Sequence, residues 1–135
     1  SQVIQNEIQS NGRYTTPLTV GNTQLAVAVM RTPAELQRGL SGSDKLQDNQ
    51  GMLFLFDRKF TPGFWMKEMK FDLDLIWIAD GKIVGITENV IAPPLGTAER
   101  DLQEYFPPQN IDSVLEVNAG WSQRNNVKVG DEISL

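Results

Sequence analysis

The strongest constraint on the fold is the signal of a β-hairpin near the middle of the chain. Two runs, 71–79 and 82–90, are rich in apolar and β-branched residues. Asp80-Gly81 joins them, and this pair is typical of a two-residue type I′ turn, which needs a positive φ at both positions. Because both faces of the hairpin are apolar, we expect it at the centre of two packed, mostly antiparallel sheets.

The turn also predicts the pairing of the two strands. Ala79 is expected opposite Lys82, and Trp77 opposite Val84. The same register places Asp74 opposite Thr87, at the open end of the hairpin. We therefore expect these last two polar side chains to share one face.

The rest of the chain predicts a mainly β fold, with a minor helical part. A compact antiparallel β-sandwich or barrel-like domain with two or three short helices fits this pattern. Thr32-Pro33-Ala34-Glu35 is a capping box, so a helix is expected over 33–38, with Arg38 in its last turn and Gly39 ending it. Further strands are predicted at 23–30, 51–56, 114–119 and the C-terminus, a helical turn at 120–126 and a long loop at 91–112.

Length and hydropathy indicate one domain. The chain has 135 residues, which suits a single unit. Residues 1–19 are interpreted as a polar leader and residues 20–135 as one β-rich domain. No run of about eighteen apolar residues occurs, so no transmembrane segment is expected.

Composition excludes several classes of chemistry. The sequence contains neither His nor Cys, which excludes Ser-His-Asp and Cys-His catalysis, zinc and iron–sulfur sites with those ligands, and disulfides. We therefore expect no cofactor and no transition metal. Twelve Lys and Arg against seventeen Asp and Glu give a net charge of −5, and the cations are scattered, so nucleic acid is not an expected partner.

A set of short motifs, in order and spacing, resembles a known family. The motifs are Arg38-Gly39-Leu40, Gly51-Met52-Leu53-Phe54, Phe64-Trp65-Met66-Lys67, Leu73-Asp74, Asp80-Gly81, Leu115-Glu116-Val117-Asn118-Ala119-Gly120 and Val129-Gly130-Asp131. Over roughly residues 20–135 they resemble the uncharacterised bacterial and archaeal family catalogued as domain of unknown function 192. The chain departs from the family pattern at Asp72, where proline is usual, and at Ser41, where methionine is common.

The resemblance implies a compact β-sandwich-like fold and frequent export to the cell envelope, and it implies no established activity. A periplasmic, extracytoplasmic or secreted location is therefore expected. The lack of cysteine also fits a reducing cytoplasm, which is the alternative location.

Trp65 and Lys67 form the first candidate site. In an extended segment the two side chains share one side. They could form a stacking platform beside a cation, suited to a sugar ring or an acidic ligand. The alternative interpretation is core packing, with Lys67 extending past Trp65 to water or to an acid.

Asp74 is the second candidate, because it lies where a predicted strand enters the core. A buried carboxylate needs a partner or takes up a proton. Asp74 could act as a general acid or base, or could bind calcium or magnesium together with Asp72 and Asn89. The alternative is a structural role, as half of an ion pair or as an acceptor for a loop amide.

Glu116 and Asn118 share a face of their predicted strand. We expect Lys67 and Asp74 to line one polar pocket, together with Thr87 and with Glu116 or Asn118. The alternative places Glu116 on a solvated surface.

Two classes of function follow from these candidates. The first is a non-catalytic binding module for a small molecule, a saccharide or an envelope protein. The second is a carboxylate-based hydrolase or lyase acting on glycans, in which Asp74 or Asp72 works with Glu88 or Glu116. We favour the binding module, because the sequence offers no nucleophile or substrate signature.

Overall fold

The computed structural model describes residues 13–41, 43 and 45–135, so the first twelve residues of the predicted leader lie outside the described chain. The first strand begins at Thr16, inside the segment interpreted as leader. None of the described helices is long and apolar enough to cross a membrane. The elements are β1 (Thr16–Val20), β2 (Thr23–Met30), α1 (Pro33–Arg38), β3 (Gln50–Phe60), β4 (Phe64–Trp65), β5 (Leu73–Ala79), β6 (Lys82–Val90), a 3-10 helix (Glu99–Asp101), β7 (Glu104–Tyr105), β8 (Ile111–Asn118), α2 (Trp121–Arg124) and β9 (Ile133–Ser134).

Seven strands form one curled, mixed sheet in the order β6-β5-β8-β3-β2-β1-β9, and β4 pairs with β7 in a small second sheet. Of the described strand pairs, only β2 with β3 is parallel. Glu132, just before β9, forms a bridge to Lys82 of β6, so the two ends of the large sheet approach each other. The mainly β, barrel-like fold class predicted from the sequence is confirmed.

The prediction of two packed sheets with the hairpin at their centre needs correction. β5 lies inside the sheet, between β6 and β8, but β6 is the terminal strand of the order. A parallel pair requires a crossover, and α1 with the loop after it carries the chain from β2 to β3. The layer that covers one face of the hairpin is therefore made of helix and loop rather than of a second large sheet.

The predicted helix is confirmed at Pro33–Arg38, with its capping box. The Thr32 hydroxyl accepts a hydrogen bond from the Glu35 amide (3.1 Å), and the Glu35 carboxylate accepts one from the Thr32 amide (3.0 Å). These two bonds satisfy amides that the first helical turn leaves without partners.

The hairpin turn is also confirmed. Asp80 and Gly81 have φ values of 53° and 74°, as a type I′ turn requires, and Ala79 pairs with Lys82 as predicted.

Farther along the hairpin the register differs from the prediction. Val84 is an extra residue in β6, so that Trp77 pairs with Gly85. A shift of one residue turns each later side chain to the opposite face. Thr87 thus leaves the face of Asp74, and its hydroxyl accepts a hydrogen bond from the Trp77 indole nitrogen (2.9 Å). The predicted pairing of Asp74 with Thr87 is wrong for this reason.

The large sheet buries apolar side chains on both faces. On one face, called the α1 face, the side chains pack with α1 and residues 61–72 and include Met52, Phe54, Leu73, Leu75, Trp77 and Val114. The other, called the α2 face, includes Leu18, Leu53, Ile76, Ile83, Leu115, Val117 and Trp121 of α2. Strands β1 and β6 contribute to the same α2-face cluster although four strands separate them, because the sheet curls.

Candidate functional site

A cavity of about 310 Å³ lies on the α1 face of the sheet, between the end of α1, β3 and the segment around β4. We call it the α1 cavity. Its lining residues are Leu36, Gln37, Arg38, Gly39, Leu40, Ser41, Phe54, Phe56, Pro62, Gly63, Phe64, Trp65, Met69 and Glu116.

The end of α1 forms one wall of the α1 cavity. Gly39 ends the helix with a φ of 50°, which a residue with a side chain rarely adopts. A Cβ atom at this position would also lie 3.1 Å from the Phe54 ring. The glycine therefore lets the helix end approach β3 closely enough to enclose the cavity.

Aromatic rings form the opposite wall. Phe64 packs edge to face against Phe54, with ring centroids 5.2 Å apart, and against Phe56 at 6.5 Å. It makes a third edge-to-face contact with the buried Trp77 at 5.7 Å. Such pairs stabilise one another beyond their buried area, so the wall is held in a defined shape.

Glu116 supplies the carboxyl group of the α1 cavity. Its side chain is 6% exposed, and it lies between Met52 of β3 and Leu75 of β5 on the neighbouring strands. No hydrogen bond joins its carboxyl group to any residue of the described chain. Burial raises the pKa of Glu116 from 4.5 to about 8, so the carboxyl group is mostly protonated at neutral pH.

Tyr14 is a second titratable group close to Glu116. Burial raises the pKa of its phenol, the charge of Arg13 lowers it, and the charge of Glu116 raises it further. The guanidinium group of Arg13 donates a hydrogen bond to the Gly39 carbonyl (3.1 Å), which joins the N-terminal segment to the end of α1.

Arg38 is the charged residue at the mouth of the α1 cavity. It is exposed and forms no ion pair with another residue of the described chain. Beside it, the Ser41 hydroxyl donates a hydrogen bond to the Lys67 carbonyl (3.0 Å). This bond links the wall of the cavity to the segment that carries Trp65.

Trp65 and Lys67 lie together, as the sequence predicts. The Lys67 ammonium group is 5.5 Å from the centroid of the Trp65 ring, and Trp65 is 43% exposed at the edge of the α1 cavity. Lys67 also pairs with Glu99 of the long loop, and this hydrogen bond raises the pKa of Lys67. The Lys67 ammonium group therefore interacts with both the Glu99 carboxylate and the Trp65 ring.

The structure does not bring Asp74 to the α1 cavity. Its carboxylate accepts hydrogen bonds from the backbone amides of Asn89 (2.9 Å), Gly120 (3.1 Å) and Ser122 (3.1 Å), and its side chain is fully buried. Because Asp74 pairs with Val117 and the next residue pairs with Glu116, the two carboxyl groups point to opposite faces of the sheet.

The other predicted site residues are also separated from one another. Asp72 is exposed and accepts a hydrogen bond from the Ala92 amide (2.8 Å). Asn118 donates to the Leu46 carbonyl and to Asp48. The expected pocket shared by Lys67, Asp74 and Thr87 is not formed, because amides surround Asp74 and the shift at Val84 turns Thr87 away.

Most of the oxygen atoms proposed for calcium or magnesium are already used within the fold. Both carboxylate oxygens of Asp74 and Oδ1 of Asp72 accept hydrogen bonds from backbone amides, and Asn89 approaches Asp74 through its backbone amide. Residues 13–41, 43 and 45–135 contain no group of three or more acidic side chains placed to hold a metal ion.

Most residues that line the α1 cavity were not predicted as site residues from the sequence. Phe54 and Phe56 were predicted only as part of a buried strand, Phe64 only as part of a family motif, and Arg38 in the last turn of a helix. Glu116 was predicted as a candidate, and its sequence signal is clear: it is the charged residue of the predicted strand 114–119, where Val114, Leu115 and Val117 are apolar. A strand buried on both faces that carries one acid places that acid in a core or at a cavity.

Two solved structures are similar to this chain. One is a protein of unknown function from Novosphingobium aromaticivorans DSM 12444, with 28% identity and a TM-score of 0.79, over 89% of this chain and 84% of that chain. The other, described as a candidate transcription regulator from Sinorhizobium meliloti 1021, shows 29% identity and a TM-score of 0.76, over 87% of this chain and 89% of that chain. No curated protein is significantly similar to this chain.

The family comparison agrees with the motifs and with the fold. The sequence profile of domain of unknown function 192, described as an uncharacterised ACR family, matches residues 16–135, from the first residue of β1 to the last residue of the chain. The chain belongs to the family of domain of unknown function 192.

Proposed function

We propose that this domain is a binding module for a small molecule with an apolar body, held in the α1 cavity with its polar end at Glu116. The observation that carries the proposal is the Glu116 carboxyl group, buried in the cavity wall without a partner in the described chain. Among the described residues, Ser122 Oγ is the only fully buried side-chain polar atom without a partner, so the Glu116 oxygens remain accessible through the cavity. A ligand in the cavity can therefore form hydrogen bonds with this carboxyl group.

The size and lining of the cavity support this proposal. Its volume of about 310 Å³ lies at the lower end of the range of small-molecule sites, which is about 300–1,000 Å³. Four aromatic side chains supply apolar surface, and Gln37, Arg38, Ser41 and Glu116 supply polar groups. A few polar groups on an apolar wall are typical of sites that orient a small ligand.

A carboxylate-based enzyme is the second candidate, and the raised pKa of Glu116 favours it. A protonated acid at neutral pH could serve as a general acid. Glycoside hydrolysis, however, uses two carboxyl groups about 5–10 Å apart across a cleft. In the described chain the α1 cavity contains no second acid, and Asp74 lies on the other face of the sheet. The binding module is therefore the better supported function.

A fragment titration followed by NMR of the ¹⁵N-labelled domain tests the proposal. We expect bound fragments to shift the amides of Leu40, Phe56 and Glu116, which line the cavity. Gln37→Trp places a large ring at the mouth and should abolish these shifts. Ala34→Trp changes an exposed residue of the same helix outside the lining and should leave them intact. The proposal fails if no fragment shifts the lining amides, or if both variants behave alike.

Saccharides belong in this fragment set, because Trp65 offers a stacking surface at the edge of the cavity.

We also propose that the domain works outside the cytoplasm, where the ligand or an envelope protein would meet it. The support is the export that the family resemblance implies. Fractionation of host cells with an antibody against the domain tests this location, and recovery in the cytoplasm would contradict it.

We further propose that the domain does not bind nucleic acid, although one structural relative is described as a candidate transcription regulator. The support is the net charge of −5, since DNA-binding domains neutralise phosphates with clustered cations. A gel-shift assay with random duplex DNA at low salt tests the proposal, and a retarded band would contradict it.

A further inference from the structure

We infer that the polar end of the ligand is a protonated amine, which forms an ion pair with Glu116 between the aromatic rings of the α1 cavity. This inference rests on the proposed function and names the chemical class of the ligand. It follows from two features of the same cavity: the carboxyl group, which has no hydrogen-bond partner among residues 13–41, 43 and 45–135, and the aromatic wall.

An amine is the group that both features recognise. The faces of aromatic rings carry negative potential and attract a cation within about 6 Å. The Phe54, Phe56 and Trp65 side chains all line the cavity that Glu116 enters. A ligand carboxylate would instead place two acids together, and a neutral hydroxyl would gain little from the rings.

The groups that face Glu116 leave room for this charge. From β3 and β5 its neighbours are Met52 and Leu75, which are apolar, and from the N-terminal segment its neighbour is the Tyr14 phenol. Arg38 lines the cavity at its mouth, and Arg13 donates a hydrogen bond to the carbonyl of Gly39, another lining residue. Neither guanidinium forms an ion pair with Glu116, whose pKa is set by burial alone.

Amine binding must then release a proton from the protein. An ammonium group is stabilised by the ionised carboxylate, whereas free Glu116 holds its proton up to about pH 8. The affinity for an amine should therefore rise about 50-fold between pH 6 and pH 8, as the ionised fraction grows. A neutral ligand of the same shape should show no such rise.

Three probes of matched shape test the inference by NMR titration: phenethylammonium, 2-phenylethanol and 3-phenylpropionate. At pH 8 we expect the ammonium to bind at least about tenfold more tightly than the alcohol, and the propionate to bind least. Glu116→Gln keeps the shape of the side chain and should remove both the preference for the amine and its pH dependence. Glu88→Gln, the same change at an exposed position, should alter neither.

The outcomes separate this inference from the proposed function. If the alcohol or the propionate binds in the cavity as tightly as the ammonium, the amine inference is overturned while the proposed function stands. Retention of the amine preference by Glu116→Gln overturns it as well. If none of the three probes shifts the lining amides while other fragments do, the amine inference fails alone. If no fragment of any class shifts them, both fail.

Discussion

Asp74 and Glu116 are two buried carboxyl groups on adjacent strands, and they differ in their partners. Asp74 lies on the α2 face, and its carboxylate accepts hydrogen bonds from three backbone amides. Glu116 lies on the α1 face and has no hydrogen-bond partner in the described chain. They are one position apart in the ladder between β5 and β8, so their side chains point to opposite faces of the sheet. Both side chains are nevertheless buried.

The number of hydrogen-bond partners indicates whether a buried acid stabilises the fold or belongs to a binding site. The amides on Asp74 come from the end of β6 and from the start of α2, so one carboxylate holds two chain segments against the sheet. Its hydrogen-bonding capacity is used within the fold. Glu116 holds no segment of the described chain, and its hydrogen-bonding capacity remains available for a molecule that enters the cavity.

The largest effect is expected from removal of Asp74. Asp74→Ala leaves three amides without their acceptor and should lower the free energy of unfolding by about 5 kcal/mol. Asp74→Asn, which still offers one acceptor oxygen, should lower it by about 2 kcal/mol. Urea unfolding measures both. Asp72→Ala, which removes one exposed acceptor, is the control and should change stability by less than about 1 kcal/mol. Wild-type stability of Asp74→Ala would contradict the structural role.

The next effect concerns Glu116 and pH. Its pKa is about 8 in the folded state and near 4.5 in the unfolded chain, so the folded state holds an extra proton between these values. The stability that this proton provides is complete below pH 4.5 and is lost as the pH rises through 8. Relative to Glu116→Gln, the wild type should lose up to about 4 kcal/mol between pH 5 and pH 9. A difference between the two proteins that does not vary with pH would refute the buried, unpaired state of Glu116.

Local signals in the sequence were sufficient to predict most of the individual elements. The capping box at Thr32 and the turn at Asp80-Gly81 form where predicted, because each depends on residues a few positions apart. The mainly β class followed from alternation of apolar residues. The parallel pairing of β2 with β3 was not predicted, because it depends on where a crossover returns to the sheet.

The candidate site was predicted only in part, for a related reason. Trp65 with Lys67 and the choice of Glu116 came from the sequence, and the structure places Trp65 and Glu116 in one cavity. The shared site with Asp74 depended on a register that the extra residue Val84 displaces. A bulge is decided by packing across the sheet, which the local sequence does not contain.

A smaller effect on stability tests the register of β5 and β6 beyond the extra residue Val84. The Thr87 hydroxyl accepts the hydrogen bond of the Trp77 indole only because Thr87 lies on the α1 face. Thr87→Val should therefore lower the free energy of unfolding by about 1 kcal/mol. Thr19→Val, in β1, removes a hydroxyl without a hydrogen bond to the described chain and should have little effect. Equal stabilities of the two variants in urea would show that Thr87 does not face Trp77.

The smallest effect is expected where charges pair in water rather than in the core. Lys67 and Glu99 are both exposed, with 38% and 61% of their side-chain surface accessible, and such pairs are screened by solvent and salt. Lys67→Met should leave the urea midpoint unchanged, and so should Lys59→Met, which breaks the exposed pair with Asp80. Added salt should not separate the two variants from the wild type. If Lys67→Met were as destabilising as Asp74→Asn, the exposed ion pair would stabilise the fold as much as the buried Asp74 carboxylate does. The assignment of Asp74 as the structural carboxylate of the fold would then lose its basis, because burial would not distinguish it.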